Sequence, residues 1–203
     1  MIDRPRRASD PPAEALVLCR TLVLVGLMGA GKTSVGKRLA TLLGVRFVDS
    51  DSEIEAAAGM SIPEIFATLG EPAFRDGERR VIARLLSEAP CVLATGGGAF
   101  IEPRTREEIA AQATSVWIRA SLDLLWDRVR DRPGRPLLDA PDPRAVLADL
   151  DRRRSPVYAL ADVTVDSRRG ASHESMARGI AAAVRRFDAG HPARPPTIGV
   201  AEE

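Results

Sequence analysis

Short apolar runs alternate along this chain with longer segments in which apolar residues recur every three or four positions. The short runs predict buried β-strands, and the periodic segments predict amphipathic helices. The predicted strands are residues 21–25, 45–48, 91–95, 115–118 and 163–165. The predicted helices are the loop and helix 26–43, then 52–58, 61–70, 71–86, 103–112, 122–129, 144–154 and 173–187. This alternation predicts a three-layer α/β fold, with a mostly parallel five-stranded sheet and helices on both faces.

Capping residues support several of these boundaries. Gly44, Gly59 and Gly70 stand where helices are expected to end, since glycine adopts the left-handed conformation that terminates a helix. Ser61 precedes Glu64 by three positions, which is the spacing of a capping box at a helix start.

Three segments differ from this pattern. Residues 1–18 are rich in Arg, Pro, Ser and Asp and predict a flexible extension, and the proline-bearing segment 188–203 predicts a disordered tail. Residues 19–187 then form a single domain. Inside it, residues 131–143 carry proline, glycine and charge without any period, as is typical of a lid.

Composition narrows the functional class. The chain has 203 residues, a formal net charge of +1 and 4% aromatic residues, so neither a nucleic-acid partner nor a membrane surface is expected. The two cysteines, Cys19 and Cys91, lie beside apolar runs and predict free thiols in a reducing compartment. The N-terminal arginines precede no apolar core, so they do not form a secretory signal. We expect a cytoplasmic enzyme.

A glycine-rich loop follows the first predicted strand. Residues 26–34 read Gly-Leu-Met-Gly-Ala-Gly-Lys-Thr-Ser, which fits the phosphate-binding pattern G-x-x-x-x-G-K-[ST]. Glycines let the backbone N–H groups surround phosphate oxygens, Lys32 reaches the outer phosphates, and Thr33 can ligate Mg²⁺. An ordinary glycine-rich turn is the alternative. The flanking strand and helix, and the presence of only one lysine besides Lys32, favour the phosphate loop.

Two more polar features follow predicted strands. Asp49 and Asp51 come after the second strand, where one could support Mg²⁺ and the other could take a proton from a hydroxyl. Capping of the next helix is the alternative for either one. Gly96, Gly97 and Gly98 follow the third strand and would let the backbone approach a ligand, a flexible turn being the alternative. Ligands of open α/β sheets bind at the carboxyl ends of the strands, so these features should converge.

The arginines are ambiguous from composition alone. Arg75, Arg135 and Arg154 resemble the many other arginines of this chain, most of which should lie on the surface.

Six motifs together resemble the shikimate kinase family, over about residues 20–187. They are Gly-Leu-Met-Gly-Ala-Gly-Lys-Thr-Ser (26–34), Asp-Ser-Asp (49–51), Phe-Arg-x-x-Glu (74–78), Gly-Gly-Gly-Ala (96–99), Arg-Pro-Leu-Leu (135–138) and Arg-x-Pro-x-Tyr (154–158). The resemblance implies a P-loop kinase fold that transfers the γ-phosphoryl group of ATP to the 3-hydroxyl of shikimate. That reaction is a step of chorismate and aromatic amino-acid biosynthesis.

For the nucleotide, the resemblance implies a phosphate site that also holds Mg²⁺. The phosphate-binding residues would be Gly29, Ala30, Gly31, Lys32, Thr33 and Ser34. Thr33 and Asp49 would support the metal, Arg128 would stack on adenine, and Arg135 would enter with the lid to neutralise the transferring group.

For the acceptor, the resemblance implies a site in the segment of about 52–78 and its surroundings. Asp51 would be the catalytic base, assisted by Lys32 and Arg135, and Arg75 and Arg154 would bind the shikimate carboxylate. Glu78 would orient Arg75, and Gly96, Gly97 and Gly98 would bring the backbone against the ring.

Two alternative functions remain at this point. The chain could phosphorylate another small acceptor, such as gluconate or a nucleoside monophosphate, because the same arginines suit any anionic polyol. It could also be a non-catalytic ATP-binding module, although Asp51, Lys32 and Arg135 are all present. We expect ATP and shikimate as the partners of a monomer.

Overall fold

The computed structural model describes residues 16–130 and 140–200. Within them the strands are β1 (Leu16–Leu18), β2 (Thr21–Val25), β3 (Phe47–Asp49), β4 (Val92–Ala94), β5 (Ala113–Arg119), β6 (Val163–Asp166) and β7 (Ile198–Val200). The helices are α1 (Lys32–Leu42), α2 (Ser50–Ala58), α3 (Ile62–Leu86), α4 (Pro103–Gln112), α5 (Leu122–Val129), α6 (Pro143–Tyr158) and α7 (His173–Gly190), with a 3₁₀ turn at Ala99–Ile101.

Five strands form one parallel sheet in the order β3-β4-β2-β5-β6. The central strand β2 is buried at all five positions, so both of its faces are covered. The predicted α/β fold with a five-stranded sheet is therefore confirmed.

The strand order places the phosphate loop at the middle of the sheet. Strand β2 lies in the middle of the sheet, with β4 and β3 on one side and β5 and β6 on the other. The loop after β2 consequently lies where the order of the sheet reverses, which is the usual ligand position in such folds. The ends of β3 and β4 lie beside it, because Asp49 is paired with Ala94 and Ala94 with Leu24.

A kink divides helix α3 where the sequence predicts a boundary. Gly70 has φ 80° and ψ 170°, a conformation that an L-residue rarely adopts. The predicted capping box at the helix start is also present. The Ser61 N–H donates to the Glu64 carboxylate at 2.8 Å, and the Glu64 N–H donates to the Ser61 hydroxyl at 3.4 Å. Helix α3, in the predicted acceptor-binding segment of about 52–78, therefore has a defined start and a defined bend.

The two chain ends differ from the sequence-based expectation. Leu16–Leu18 pairs antiparallel with Ile198–Val200, so parts of the predicted extension and of the predicted tail form a two-stranded sheet. Asp188 accepts hydrogen bonds from the Thr197 N–H at 2.9 Å and from the Ile198 N–H at 3.1 Å. The expectation was wrong for these residues because their partners lie nearly the whole chain length apart, and no local pattern reports such pairing.

The remaining differences from the predicted elements are smaller. Strand β3 extends to Asp49, and α2 starts at Ser50, two positions earlier than predicted. Of the predicted lid, residues 131–139 lie outside the described part of the chain, and Arg135 lies outside it with them. None of the helices in residues 16–130 and 140–200 combines the length and apolarity that crossing a bilayer requires.

Candidate active site

The loop between β2 and α1 depends on its glycines. Gly26, Gly29 and Gly31 all have positive φ, of 136°, 81° and 104°. A Cβ at Gly26 would also stand 2.8 Å from the Ile118 carbonyl oxygen. Gly31 is the N-cap of α1, so the free N–H groups of the first helical turn open onto the loop. This arrangement attracts an anion, as a phosphate site requires.

Lys32 lies over this loop. Its Nζ donates to the carbonyl oxygens of Gly26 at 2.7 Å and of Leu27 at 3.1 Å. The side chain lines a cavity of about 340 Å³ that also includes Asp49, Asp51 and Gly97. The ammonium group is therefore positioned among the loop, the aspartates and the glycine turn, where it can neutralise phosphate charge.

Asp49 combines two roles that the sequence presented as alternatives. Its Oδ1 accepts the Asp51 N–H at 3.2 Å and caps α2, while its Oδ2 accepts the Thr33 hydroxyl at 3.1 Å. A hydroxyl and a carboxylate are hard oxygen ligands, and Mg²⁺ needs few protein ligands because it retains water. The pair fits that ion. No cluster of three or more acidic, histidine or cysteine ligands occurs in residues 16–130 and 140–200.

Asp51 lies in the first turn of α2 against the glycine turn. A Cβ at Gly96 would come within 2.6 Å of its Oδ1, so only glycine leaves room for the carboxylate. Burial raises the pKa of Asp51, the negative charge of Asp49 raises it further, and Lys32 opposes the rise. A carboxylate with increased proton affinity inside a polar cavity is suited to general-base chemistry.

The segment Gly96–Gly98 packs against side chains of three other elements. The Gly96 N–H donates to the Ser50 hydroxyl at 3.2 Å, and the Gly97 carbonyl accepts from Arg154 at 3.1 Å. A Cβ at Gly98 would come within 2.5 Å of Nη1 of Arg75. The close approaches at Gly96 and Gly98 explain these two glycines better than a flexible turn does, whereas a Cβ at Gly97 would make only ordinary contacts, the nearest at 3.5 Å.

Arg75 and Arg154 are brought together, as the resemblance implies. Both line a second cavity, of about 460 Å³, together with Gly98, Ile101 and Glu102. Guanidinium groups can bind a carboxylate through two parallel hydrogen bonds. The surface-arginine alternative therefore does not hold for these two residues.

Glu78 contacts Arg75 as expected. Its Oε2 accepts from Nη1 of Arg75 at 2.6 Å, and the residue is only 2% exposed. Burial raises the pKa of Glu78, while the positive charge of Arg75 lowers it. The carboxylate thus holds Arg75 from the side opposite to solvent.

Arg128 reaches the phosphate loop from α5. One of its terminal nitrogens donates to the carbonyls of Gly29 at 3.1 Å and Ala30 at 3.2 Å and to the Ser167 hydroxyl at 3.1 Å. The same cavity is lined after β6 by residues that the sequence motifs did not indicate: Ser167, Ala171, His173 and Met176. These residues follow a parallel strand, and ligands bind at the carboxyl ends of such strands, so their position could have indicated them.

Comparisons with known proteins show what this chain is similar to. A profile of the family described as shikimate kinase matches residues 28–185. A shikimate kinase of Paramagnetospirillum magneticum is 62% identical over 148 residues, covering 73% of this chain and 76% of the relative. One of Ruegeria pomeroyi is 55% identical over 175 residues, covering 86% of this chain and 90% of the relative. A solved structure of shikimate kinase from Acinetobacter baumannii in complex with shikimate is 40% identical, with a TM-score of 0.76, covering 80% of this chain and 90% of that one.

Proposed function

The chain belongs to the shikimate kinase family and phosphorylates shikimate with ATP as co-substrate, and we propose how its residues divide that reaction. The phosphate loop and Arg128 bind ATP in the first cavity. Arg75 and Arg154 bind the shikimate carboxylate in the second cavity. The observation that carries this assignment is the position of the glycine turn, since Gly96 and Gly97 line the first cavity and Gly98 lines the second.

Phosphoryl transfer follows from that arrangement. The 3-hydroxyl oxygen attacks the γ-phosphorus of ATP, the bond to the β-phosphate bridging oxygen breaks, and ADP leaves. Asp51 takes the proton of the attacking hydroxyl, for which its raised pKa prepares it. Lys32 neutralises the charge of the transferring group, and Arg135 of the Arg-Pro-Leu-Leu motif is proposed to do so from the lid.

We propose that Mg²⁺ is held by Thr33 and Asp49. The contact between the Thr33 hydroxyl and Asp49 at 3.1 Å supports this assignment. Both side chains also offer hard oxygen atoms, which Mg²⁺ prefers as ligands. When bound, the ion supplies positive charge to the phosphates of ATP. The protein residues then need only to orient it, and Asp49 is fixed for that purpose by its hydrogen bond to the Asp51 N–H.

We further propose a cytoplasmic monomer without nucleic-acid or membrane partners. Both cysteines are free thiols, and the net charge is +1. Sedimentation of the purified protein across a hundredfold range of concentration tests the monomer, because a self-associating chain would sediment faster at high concentration.

Coupled assays of ADP release with shikimate, gluconate and nucleoside monophosphates test the acceptor. We expect turnover with shikimate, and turnover of gluconate but not of shikimate would overturn the assignment. Arg154→Ala should raise the KM for shikimate far more than the KM for ATP. Lys32→Met should reduce kcat with every acceptor, whereas a non-catalytic ATP-binding module would release no ADP in any assay.

A further inference from the structure

The hydroxyl group of Tyr158 is buried at the end of α6, and the reaction described above does not use it. The side chain is 1% exposed, and its ring lies 6.1 Å from that of Trp117, centroid to centroid. Its hydroxyl donates to the Gly97 carbonyl at 2.5 Å. A phenylalanine would fill the same space without needing a polar partner, so the hydroxyl is not explained by core packing alone.

Tyr158 remains a hydrogen-bond donor at neutral pH. Burial raises the pKa of its phenol to about 12, and the neighbouring Arg154 guanidinium opposes this rise only in part. The proton therefore stays on the phenol oxygen, and the carbonyl oxygen of Gly97 accepts the hydrogen bond from the hydroxyl.

Two donors converge on one carbonyl oxygen of the glycine turn. Arg154 donates to the Gly97 carbonyl at 3.1 Å, in addition to the Tyr158 hydroxyl. Glycine has the widest choice of backbone conformations, so a run of three glycines needs external contacts to hold one of them. No cis peptide occurs in the described residues, so the N–H of Gly98 points away from the Gly97 carbonyl in the same peptide unit. Fixing that carbonyl therefore fixes the direction of the Gly98 N–H.

We propose that Tyr158 is a positioning residue for the acceptor. Its hydroxyl holds the Gly97 peptide and the Arg154 side chain in the arrangement in which Gly98 and Arg154 receive the carboxylate of the acceptor. This inference rests on the proposed acceptor site, because Gly98 and Arg154 line the cavity assigned to shikimate.

Tyr158→Phe removes only the hydroxyl and keeps the ring. We expect the KM for shikimate to rise about three- to tenfold, the range that the loss of one buried hydrogen bond gives, while the KM for ATP stays within about twofold. The matched control is Thr114→Val. It removes another fully buried hydroxyl, bonded at 2.6 Å to Thr197 beside the β1–β7 pair. The control should lower the midpoint of urea unfolding and leave both KM values unchanged.

A purely structural role for Tyr158 makes a different prediction. It would lower the unfolding midpoint as the control does, with an unchanged KM for shikimate, and that result overturns the proposal. Equal increases in the KM values for shikimate and ATP overturn it too, because they indicate a general disturbance of the site.

A second measurement leaves the fold untouched. Tyr158 is the only tyrosine of the chain, so incorporation of 3-fluorotyrosine labels this position alone. We expect its ¹⁹F resonance to shift when shikimate saturates the enzyme and to shift less with ADP. A resonance that does not respond to shikimate contradicts the proposal, even if Tyr158→Phe fails to fold. Failure of the unsubstituted chain to phosphorylate shikimate would instead contradict the acceptor assignment itself.

Discussion

The guanidinium group of Arg75 occupies the space that a Cβ on Gly98 would need. A Cβ on residue 98 would stand 2.5 Å from Nη1 and 2.7 Å from Nη2, closer than any side chain tolerates. Glu78 holds the guanidinium group in this place, because its carboxylate is buried and bonded to Nη1 at 2.6 Å. The position of the arginine therefore depends on the absence of a side chain in a loop that follows a different strand.

Gly98→Ala should displace the end of the Arg75 side chain and raise the KM for shikimate by about tenfold or more, since a displaced guanidinium loses charged hydrogen bonds worth about 1.5–3 kcal/mol to the carboxylate. The KM for ATP should change little. Steady-state kinetics with each substrate varied in turn measures both. Gly77→Ala is the matched control, because Gly77 lies in the same helix as Arg75 and a Cβ there meets no atom within 4 Å. An equal effect of both variants would contradict the contact argument.

Asp51→Asn should abolish most turnover while leaving ATP affinity nearly unchanged, because an amide cannot accept the hydroxyl proton. In the unsubstituted enzyme, kcat/KM should fall as the pH drops through the pKa of Asp51, which lies above the ordinary aspartate value. Stopped assays across the acidic range locate this decline. Retention of near-normal turnover by the asparagine variant would refute the role of Asp51 as base.

The same substitution should increase stability at neutral pH. A carboxyl group whose pKa is raised on folding binds its proton more tightly in the folded state. Folding therefore becomes less favourable as the pH rises from the ordinary aspartate pKa through the raised one, and the loss persists above it. Asparagine removes this penalty, so urea unfolding at pH 7 should show a higher free energy of unfolding for Asp51→Asn. The difference from the unsubstituted protein should shrink as the pH falls through the raised pKa of Asp51 and should disappear below the ordinary aspartate pKa of about 4.

Two substitutions at Asp49 separate its cap from its contact with Thr33. Asp49→Asn keeps a side chain that can cap α2, so stability should change little, but the lost charge should raise the Mg²⁺ concentration needed for half-maximal activity. Asp49→Ala should raise the Mg²⁺ concentration needed for half-maximal activity in the same way, and it should also lower the free energy of unfolding by about 1 kcal/mol because the cap is lost. Mg²⁺ titrations and urea melts of both variants are the measurements. Identical stability losses in the two would indicate that the cap does not act as described.

Arg128→Ala should raise the KM for ATP by about tenfold, because a charged donor to the Gly29 and Ala30 carbonyls is lost. The KM for shikimate should stay unchanged. Arg119→Ala is a suitable control, since Arg119 is half-exposed and pairs with Asp166 outside the cavity. A selective rise in the shikimate KM would place Arg128 with the acceptor instead.

Asp188→Ala should lower the free energy of unfolding by about 2–3 kcal/mol with both KM values unchanged. Three hydrogen bonds from Thr197 and Ile198 end on this carboxylate, and their donors would lose a partner in a part-buried place. Glu174→Ala on the same helix is the control, because its exposed pair with Arg178 contributes little. Urea unfolding of the two variants distinguishes a docked C-terminal strand from a loose one.

Most of the sheet and the phosphate loop could be predicted from the sequence, because their patterns are local. Five apolar runs separated by helical periods identify a parallel sheet, and the spacing from Gly26 to Thr33 identifies the loop. The same dependence on local patterns explains why the pairing of the two terminal strands was not predicted. Leu16–Leu18 is an apolar run of only three residues and Ile198–Val200 contains a glycine, so neither local pattern indicates that the two segments pair.

The chemistry of individual residues depended on contacts that no local pattern records. By sequence, Arg75 and Arg154 were indistinguishable from other arginines until the motif order suggested a family. Their convergence on Gly97 and Gly98 follows from α3 and α6 packing beside the turn after β4.

The sequence by itself determined which functional segments follow the predicted strands. A phosphate loop, two aspartates and a glycine turn each come directly after one strand. The tertiary structure decided which side chains reach them, that Asp49 both caps α2 and meets Thr33, and that Tyr158 and Arg154 share one carbonyl. The physical reason is the distance along the chain over which each property is determined. Backbone conformation follows from neighbours in the chain, whereas burial, which raises the pKa of Asp51, and the hydrogen-bond partners of a side chain arise only when distant segments pack together.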